Sequence, residues 1–226
     1  MKPKTTPILC KAVLFDLDGV LIDSSACVFR HWERWAKKHN LDLDAIMEVA
    51  HGKRTIDTMQ IIAPQLDLEP EELEFTRGEI EDVEGIRAIS GARNLLGSLP
   101  AGNWTIVTSA GNVLARARLS AASLPIPPEI VTADRVENGK PDPEGYLLGS
   151  RLLGVSPEEC IVLEDAPAGI QAGKSAGMRV VAVASTHPPE ELAEADVVIP
   201  ALAALKVSAY NGSDGALTIR ILPKNI

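Results

Sequence analysis

The sequence predicts an α/β fold: a doubly wound parallel sheet of Rossmann-like type, with a helical domain inserted after its first strand. Three observations carry this. Short apolar runs, mostly β-branched, recur without polar alternation, as strands buried on both faces do. Segments of helical periodicity separate them, which is strand–helix–strand spacing. One long stretch, residues 24–90, has helical periodicity and charge but no strand.

The elements follow in order. Residues 1–10 carry Lys2 and Lys4 but lead into strand-like residues, not a secretory apolar region. The first core strand is Ala12-Val13-Leu14-Phe15. Residues 27–39 then read as one helix, with Val28, Trp32 and Trp35 at helical spacing, and residues 69–84 as a second, acidic and solvated on one side. A structureless loop of this length is uncommon. Residues 24–90 are therefore assigned to a helical insert, and residues 1–23 and 91–226 to the α/β core, with hinges at 23–25 and 90–91. Helices at 92–99, 113–122, 143–153, 167–176 and 190–195 alternate with strands at 104–107, 130–131, 161–163, 180–183 and 197–199. In the tail, Asn211-Gly212-Ser213-Asp214-Gly215 is a turn signal, and the alternating Leu217, Ile219 and Ile221 predict a short hairpin or edge strand.

Composition narrows the function classes. Of 226 residues, 31 are acidic and 22 are Lys or Arg, a net charge of −9. This balance argues against general binding to nucleic acid or anionic membranes, because like charges repel. A phosphorylated small molecule remains possible where a local cation holds it. With 46% hydrophobic and 4% aromatic residues, the chain suits a folded protein with an aliphatic core. No run approaches the roughly 18 apolar residues of a membrane span. Cys10, Cys27 and Cys160 are scattered and odd in number, which fits a reducing compartment and neither a disulfide framework nor a structural zinc site. The expectation is a cytoplasmic monomer.

Four constellations carry chemistry. Phe15-Asp16-Leu17-Asp18-Gly19 delivers two carboxylates at the end of a buried strand, where they suit a divalent cation or a division into nucleophile and acid–base. An acidic turn is the plain alternative. Ile161-Val162-Leu163-Glu164-Asp165 repeats the pattern, although acids also complement a helix N-terminus. A parallel sheet puts its carboxyl ends on one edge, so Asp16, Asp18, Glu164 and Asp165 can converge. Four acids there require a cation, and hard oxygen ligands favour Mg²⁺. Thr108 and Ser109 end another strand, with Gly111 and Asn112 opening a helix whose free N–H groups suit an anion. Helix capping explains Thr108 equally well. In Gly139-Lys140-Pro141-Asp142-Pro143 two prolines restrict the backbone around a lysine. Phosphate-loop, dinucleotide, zincin and nucleophile-elbow motifs are absent. His31, His39, His51 and His187 are isolated in sequence and read as packing or surface residues.

All four motifs, in order, resemble those of the haloacid dehalogenase superfamily, in the β-phosphoglucomutase-like branch with a helical cap: residues 15–24, Thr108, Lys140 with its flanking prolines, and Glu164-Asp165-Ala166-Pro167-Ala168-Gly169. His51-Gly52-Lys53-Arg54-Thr55 and residues 164–170 look most like the glycerol-3-phosphate and 2-deoxyglucose-6-phosphate phosphatases. The resemblance implies a phosphatase that uses Mg²⁺ and an aspartyl-phosphate to hydrolyse a small sugar or polyol phosphate. Asp16 would be the nucleophile and Asp18 the acid–base. Mg²⁺ would be held by Asp16, by Asp18 through its backbone carbonyl, by Asp165, and by Glu164 directly or through water. Thr108 and Lys140, with Ser109 beside them, would bind phosphoryl oxygens. In the cap, His51, Lys53 and Arg54 are substrate-binding candidates, Arg54 foremost, because a guanidinium holds oxygens in fixed geometry. A phosphosugar mutase is the rival enzyme. Mutases of the branch carry a histidine twelve residues after the nucleophile, where this chain has Val28. A receiver-like domain phosphorylated on Asp16 is the rival from another class, but it needs neither Asp18 nor a helical insert.

Overall fold

The computed structural model describes residues 7–209 and 217–221. The chain opens with β1 (Ile8–Cys10) and β2 (Ala12–Phe15), whose four residues are all buried. After β3 (Ile22–Asp23) come four helices: α1 (Ser25–His39), α2 (Leu43–Ala50), α3 (Thr55–Ile62) and α4 (Leu68–Glu81). The chain returns through β4 (Arg87–Ala88), which pairs antiparallel with β3. Helix and strand then alternate through α5 (Ala92–Ser98), β5 (Trp104–Val107), α6 (Asn112–Ala121), β6 (Ile130–Val131), α7 (Glu144–Leu153), β7 (Cys160–Glu164), α8 (Pro167–Ser175), β8 (Arg179–Val183) and β9 (Val197–Ile199). β10 (Leu205–Ala209) and β11 (Leu217–Ile221) follow.

Six strands form one parallel sheet in the order β6-β5-β2-β7-β8-β9. Strand periodicity sends alternate residues to opposite faces. Val13, Phe15, Ile161, Leu163 and Val181 join one apolar cluster with α5 and α6, while Leu14, Val162 and Val180 join another with α7 and α8. That double burial is why these strands read as continuous apolar runs. β2 lies at the centre, and the chain continues to β5 on one side and β7 on the other, the topological switch where α/β sheets place ligands.

The inserted helices have their own apolar cluster, in which the Trp32 ring sits 4.4 Å from Phe75 and 5.5 Å from Trp35. α1 ends where Asn40 adopts a left-handed backbone (φ 55°), with Lys37, Lys38 and His39 in its last turn complementing the helix dipole. Asp42 caps α2 by accepting from the Asp44 N–H at 3.0 Å. The second expected helix stops at Glu81. Asp82 turns extended, and its carboxylate is gripped by Arg30 through Nε at 3.1 Å and Nη2 at 2.8 Å. The sequence reading identified two helices here. α2 and α3, eight residues each, are short enough that their periodicity escaped it.

Residues 190–195 form turns, not the expected helix. The Leu192 N–H donates to the Pro189 carbonyl at 3.2 Å and the Ala195 N–H to Leu192 at 3.0 Å. The segment is too short to repay helix nucleation, and burial of Leu192 fixes it instead. The expected terminal hairpin is the antiparallel β10–β11 pair, to which β1 adds a third strand. The expected turn, residues 211–215, lies outside the described residues. Among the described residues no helix is long and apolar enough to cross a membrane.

Candidate active site

Strand ends bring the acids together. The Asp16 N–H completes the ladder with the Leu163 carbonyl at 2.9 Å, so Asp16 on β2 and Glu164 and Asp165 on β7 emerge side by side. One carboxylate oxygen from each of the three lies within 4.8 Å of the others, and all three residues are buried. Lys140 reaches them from the loop before α7. Its ammonium donates to Asp16 Oδ1 and, at 2.6 Å, to Glu164 Oε1, and lies 5.4 Å from the centre of the Tyr146 ring.

Glu164 is saturated. It accepts from Lys140, from the Tyr146 hydroxyl at 2.8 Å, and from the N–H groups of Asp165 and Ala166 at 2.9 and 3.2 Å. These four bonds use the capacity of a carboxylate. Asp165 Oδ2 accepts from the Thr186 hydroxyl. Gly19 (φ 81°) is required beside it, because a Cβ there would overlap the Asp165 carboxylate.

Three buried carboxylates share one ammonium. Burial pushes Asp16 up to about 8, with Lys140 opposing and Glu164 reinforcing the rise. Burial likewise raises Asp165 far above the carboxylate range, with Glu164 and Asp16 adding to it. Burial works against the charge on Lys140, but Asp16 and Glu164 outweigh it and hold its pKa above the ordinary value. An excess of buried negative charge on hard oxygen donors fits a divalent cation, and Mg²⁺ before a softer metal.

Asp18 stands apart from this cluster. Its carboxylate accepts from the Ser24 hydroxyl at 2.5 Å and from Arg118 Nη1 at 2.9 Å. The Thr108 hydroxyl accepts from the Ala110 N–H at 3.1 Å, a turn-capping bond, and the Ser109 hydroxyl donates to the Gly52 carbonyl of the inserted segment at 2.8 Å. At the start of α6 the Asn112 N–H is not free for an anion as expected, because it donates to Asp134 at 2.6 Å.

Between the sheet edge and the inserted helices lies a cavity of about 400 Å³ lined by Asp16, Asp18, Thr108, Ser109 and Asp165. His51 and Lys53 line it from the inserted side, but Arg54, the favoured candidate, does not. Its guanidinium is held by Asp57 at 2.7 Å and donates to the Glu137 carbonyl at 3.0 Å, on the approach to Lys140. His187 is not isolated in space: its Nδ1 lies 3.0 Å from the Asp165 carbonyl and its ring 5.2 Å from that of His51.

The sequence reading missed Tyr146, Thr186, Glu79 and Arg118. A lone tyrosine in an aliphatic helix and a Ser-Thr pair after β8 were faint signals for the first two. Nothing local marked the last two. Arg118, buried on α6, joins Asp18 to buried Glu79 on α4, with Nη2 donating to Glu79 Oε1 at 2.6 Å.

Comparison with known proteins agrees with this geometry. The sequence profile of the haloacid dehalogenase-like hydrolases matches residues 13–183. Hexitol phosphatase A of Escherichia coli K12 is 43% identical over 210 residues, covering 91% of this chain and 97% of its own. Glycerol-1-phosphate phosphohydrolase 1 of Saccharomyces cerevisiae is 34% identical over 224 residues, covering 92% and 89%. Among solved structures, a β-phosphoglucomutase from Clostridium difficile superposes with a TM-score of 0.78 at 26% identity, over 87% of this chain and 93% of that one.

Proposed function

This chain belongs to the haloacid dehalogenase-like hydrolase family, and we propose that within it the protein is a Mg²⁺-dependent phosphatase of small sugar or polyol phosphates. The observation that carries this reading is the meeting of Asp16, Asp165, Glu164 and Lys140 beneath a cavity of about 400 Å³, which suits a small molecule and not a macromolecule. The names of the two relatives quoted above, a hexitol phosphatase and a glycerol-1-phosphate phosphohydrolase, support the substrate class.

In this reading Asp16 attacks phosphorus in line. The Asp16 O–P bond forms as the ester P–O bond breaks, and Asp18 gives its proton to the departing alkoxide. Asp18 then takes a proton from water, whose oxygen displaces Asp16 and frees phosphate. Lys140, with Thr108 and Ser109, holds the phosphoryl oxygens as charge develops. Mg²⁺ would be held by Asp16, Asp165 and the Asp18 carbonyl, with Glu164, its acceptor positions taken by four donors, acting through Lys140. When bound, Mg²⁺ screens the Asp16 carboxylate from the anionic phosphoryl group. Residues 24–90 act as a cap domain that closes over the site and excludes stray water, with the β3–β4 ribbon as its base.

Transfer of the phosphoryl group to a sugar is the second reading, favoured by the likeness to a β-phosphoglucomutase. Val28, a cavity-lining residue that cannot move a proton, weighs against it. The test measures phosphate release from glycerol phosphates, hexitol phosphates and hexose 6-phosphates with Mg²⁺ and with excess chelator. Metal-dependent release is expected. Full activity in chelator would sink the metal assignment, and isomerisation of β-glucose 1-phosphate without free phosphate would make the chain a mutase.

A further inference from the structure

The cavity has a second polar region to which the phosphoryl-transfer steps above assign no contact with the substrate. Glu79 and Arg118 line it, 3% and 4% exposed, beside the apolar Val28, Phe29, Trp32 and Leu114. A buried ion pair is weak as a stabilising device, since apolar residues of similar volume often do as well. Burial pushes Glu79 up to about 6, with Arg118 opposing. The pair is also incompletely used. Arg118 gives Nη1 to Asp18 and Nη2 to Glu79, while its buried Nε–H has no partner among the described residues. Glu79 receives one bond on Oε1, well short of the acceptor capacity of a carboxylate.

We infer that Glu79 and Arg118 form the leaving-group subsite and read the hydroxyl on the carbon next to the phosphoester. This rests on the phosphatase reading above. If Asp18 protonates the ester oxygen, that oxygen lies within hydrogen-bond reach of the Asp18 carboxylate, whose Oδ2 is itself 2.9 Å from Arg118 Nη1. The guanidinium spans from there to Glu79, so the substituent on the next carbon falls against the pair. A hydroxyl both accepts and donates, and it can take a hydrogen bond from the guanidinium while giving its own to the Glu79 carboxylate. A methylene in its place would leave both charges facing carbon. Sites built to bond a hydroxyl reject such analogues strongly. Glu79 comes from α4 and Arg118 from α6, so the subsite is complete only when the inserted helices lie against the sheet domain.

The test crosses substrate deletion with residue change. kcat/KM is measured for glycerol 1-phosphate, 1,3-propanediol phosphate (the 2-deoxy analogue), n-propyl phosphate and an aryl phosphate that reports on the phosphoryl-transfer machinery. The wild type should prefer glycerol 1-phosphate to its 2-deoxy analogue by about tenfold or more. Glu79→Leu should bring that ratio to near one, and Glu79→Gln, which keeps the volume and a bond to Arg118, should lower it severalfold. Thermal melts establish that each variant is folded, and the isosteric Gln variant decides the matter if the Leu variant is not. A ratio unchanged in the folded variants would overturn the subsite while leaving the phosphatase reading intact. Aryl phosphate turnover by a wild type indifferent to the hydroxyl would overturn the subsite and the polyol reading together.

Discussion

Gly169→Ala sets two effects of known sign against each other. Gly169 lies in α8, where replacing glycine by alanine adds about 1 kcal/mol of stability. The new Cβ would stand 2.5 Å from Glu164 Oε2 and closer still to Oε1 and Cδ, whereas real Cβ atoms essentially never approach within 3.0 Å. The fully buried carboxylate must therefore shift, and its four donors are fixed by the backbone of Asp165 and Ala166 between β7 and α8, by Lys140 and by Tyr146. A hydrogen bond to a charged group contributes about 1.5–3 kcal/mol. Losing two of the four costs about 3–6 kcal/mol by that figure and outweighs the helix gain by at least about 2 kcal/mol. In a chain of this size each kcal/mol moves Tm by about 2–4 °C, so the midpoint should fall by at least about 4 °C. Turnover should fall with it, because Lys140 loses one of its two anchors. Calorimetry and phosphate release on the same sample measure both. Gly97→Ala, in α5 with nothing within 4 Å of its Cβ, is the control and should leave Tm unchanged or raised. A Gly169→Ala protein as stable and active as wild type would refute the reasoning, since helix propensity would then have won over the Glu164 network.

Three further outcomes follow from the same structure. Asp16→Asn should keep the fold and lose several powers of ten in turnover, while Asp18→Asn should slow sugar and polyol phosphates far more than an activated aryl phosphate. More than about a tenth of wild-type activity in the first, or equal losses on both substrates in the second, would remove that residue from its role. Burial pushes the thiols of Cys10 and Cys160 up to about 12 and that of Cys27 up to about 11. A raised thiol pKa means less thiolate, so at pH 8 a disulfide reagent should label the native protein about a hundredfold more slowly than the unfolded chain, and labelling should speed up as pH rises toward 11. Rapid native labelling would place a thiol outside the buried positions.

Most of the core was legible because its signals are local. Buried parallel strands leave continuous apolar runs at 12–15, 104–107 and 161–163, and the acids that follow the first and the last are adjacent in sequence to the strands that aim them. Short elements were harder. α2 and α3 give only about two turns of periodicity each, and the apparent helix at 190–195 owes its pattern to one buried leucine between turns. Arg54 misled for a different reason. A guanidinium suits an oxygen ligand, but Asp57 three residues on had already engaged it, an i,i+3 contact readable in principle from α3.

The two ends of the cavity were unequally legible, and the inequality has a physical origin. The end proposed to hold phosphate is lined by Asp16, Asp18, Thr108 and Asp165, which follow the ends of strands, so the sheet's geometry orders them once the strands are found. The end proposed to hold the leaving group is built from helix faces, where identity does not reveal burial. Glu74, Glu79 and Glu81 share α4, yet only Glu79 turns inward; Arg116 and Arg118 share α6, yet Arg116 bonds Asn112 on its own helix while Arg118 crosses to Asp18 and Glu79. Helix rotation decides which charge is buried, and that rotation is set by packing between segments 39 residues apart. On the proposed reading, phosphoryl-transfer chemistry can therefore be read from short motifs, whereas the selection of a leaving group depends on how α4 docks against α6.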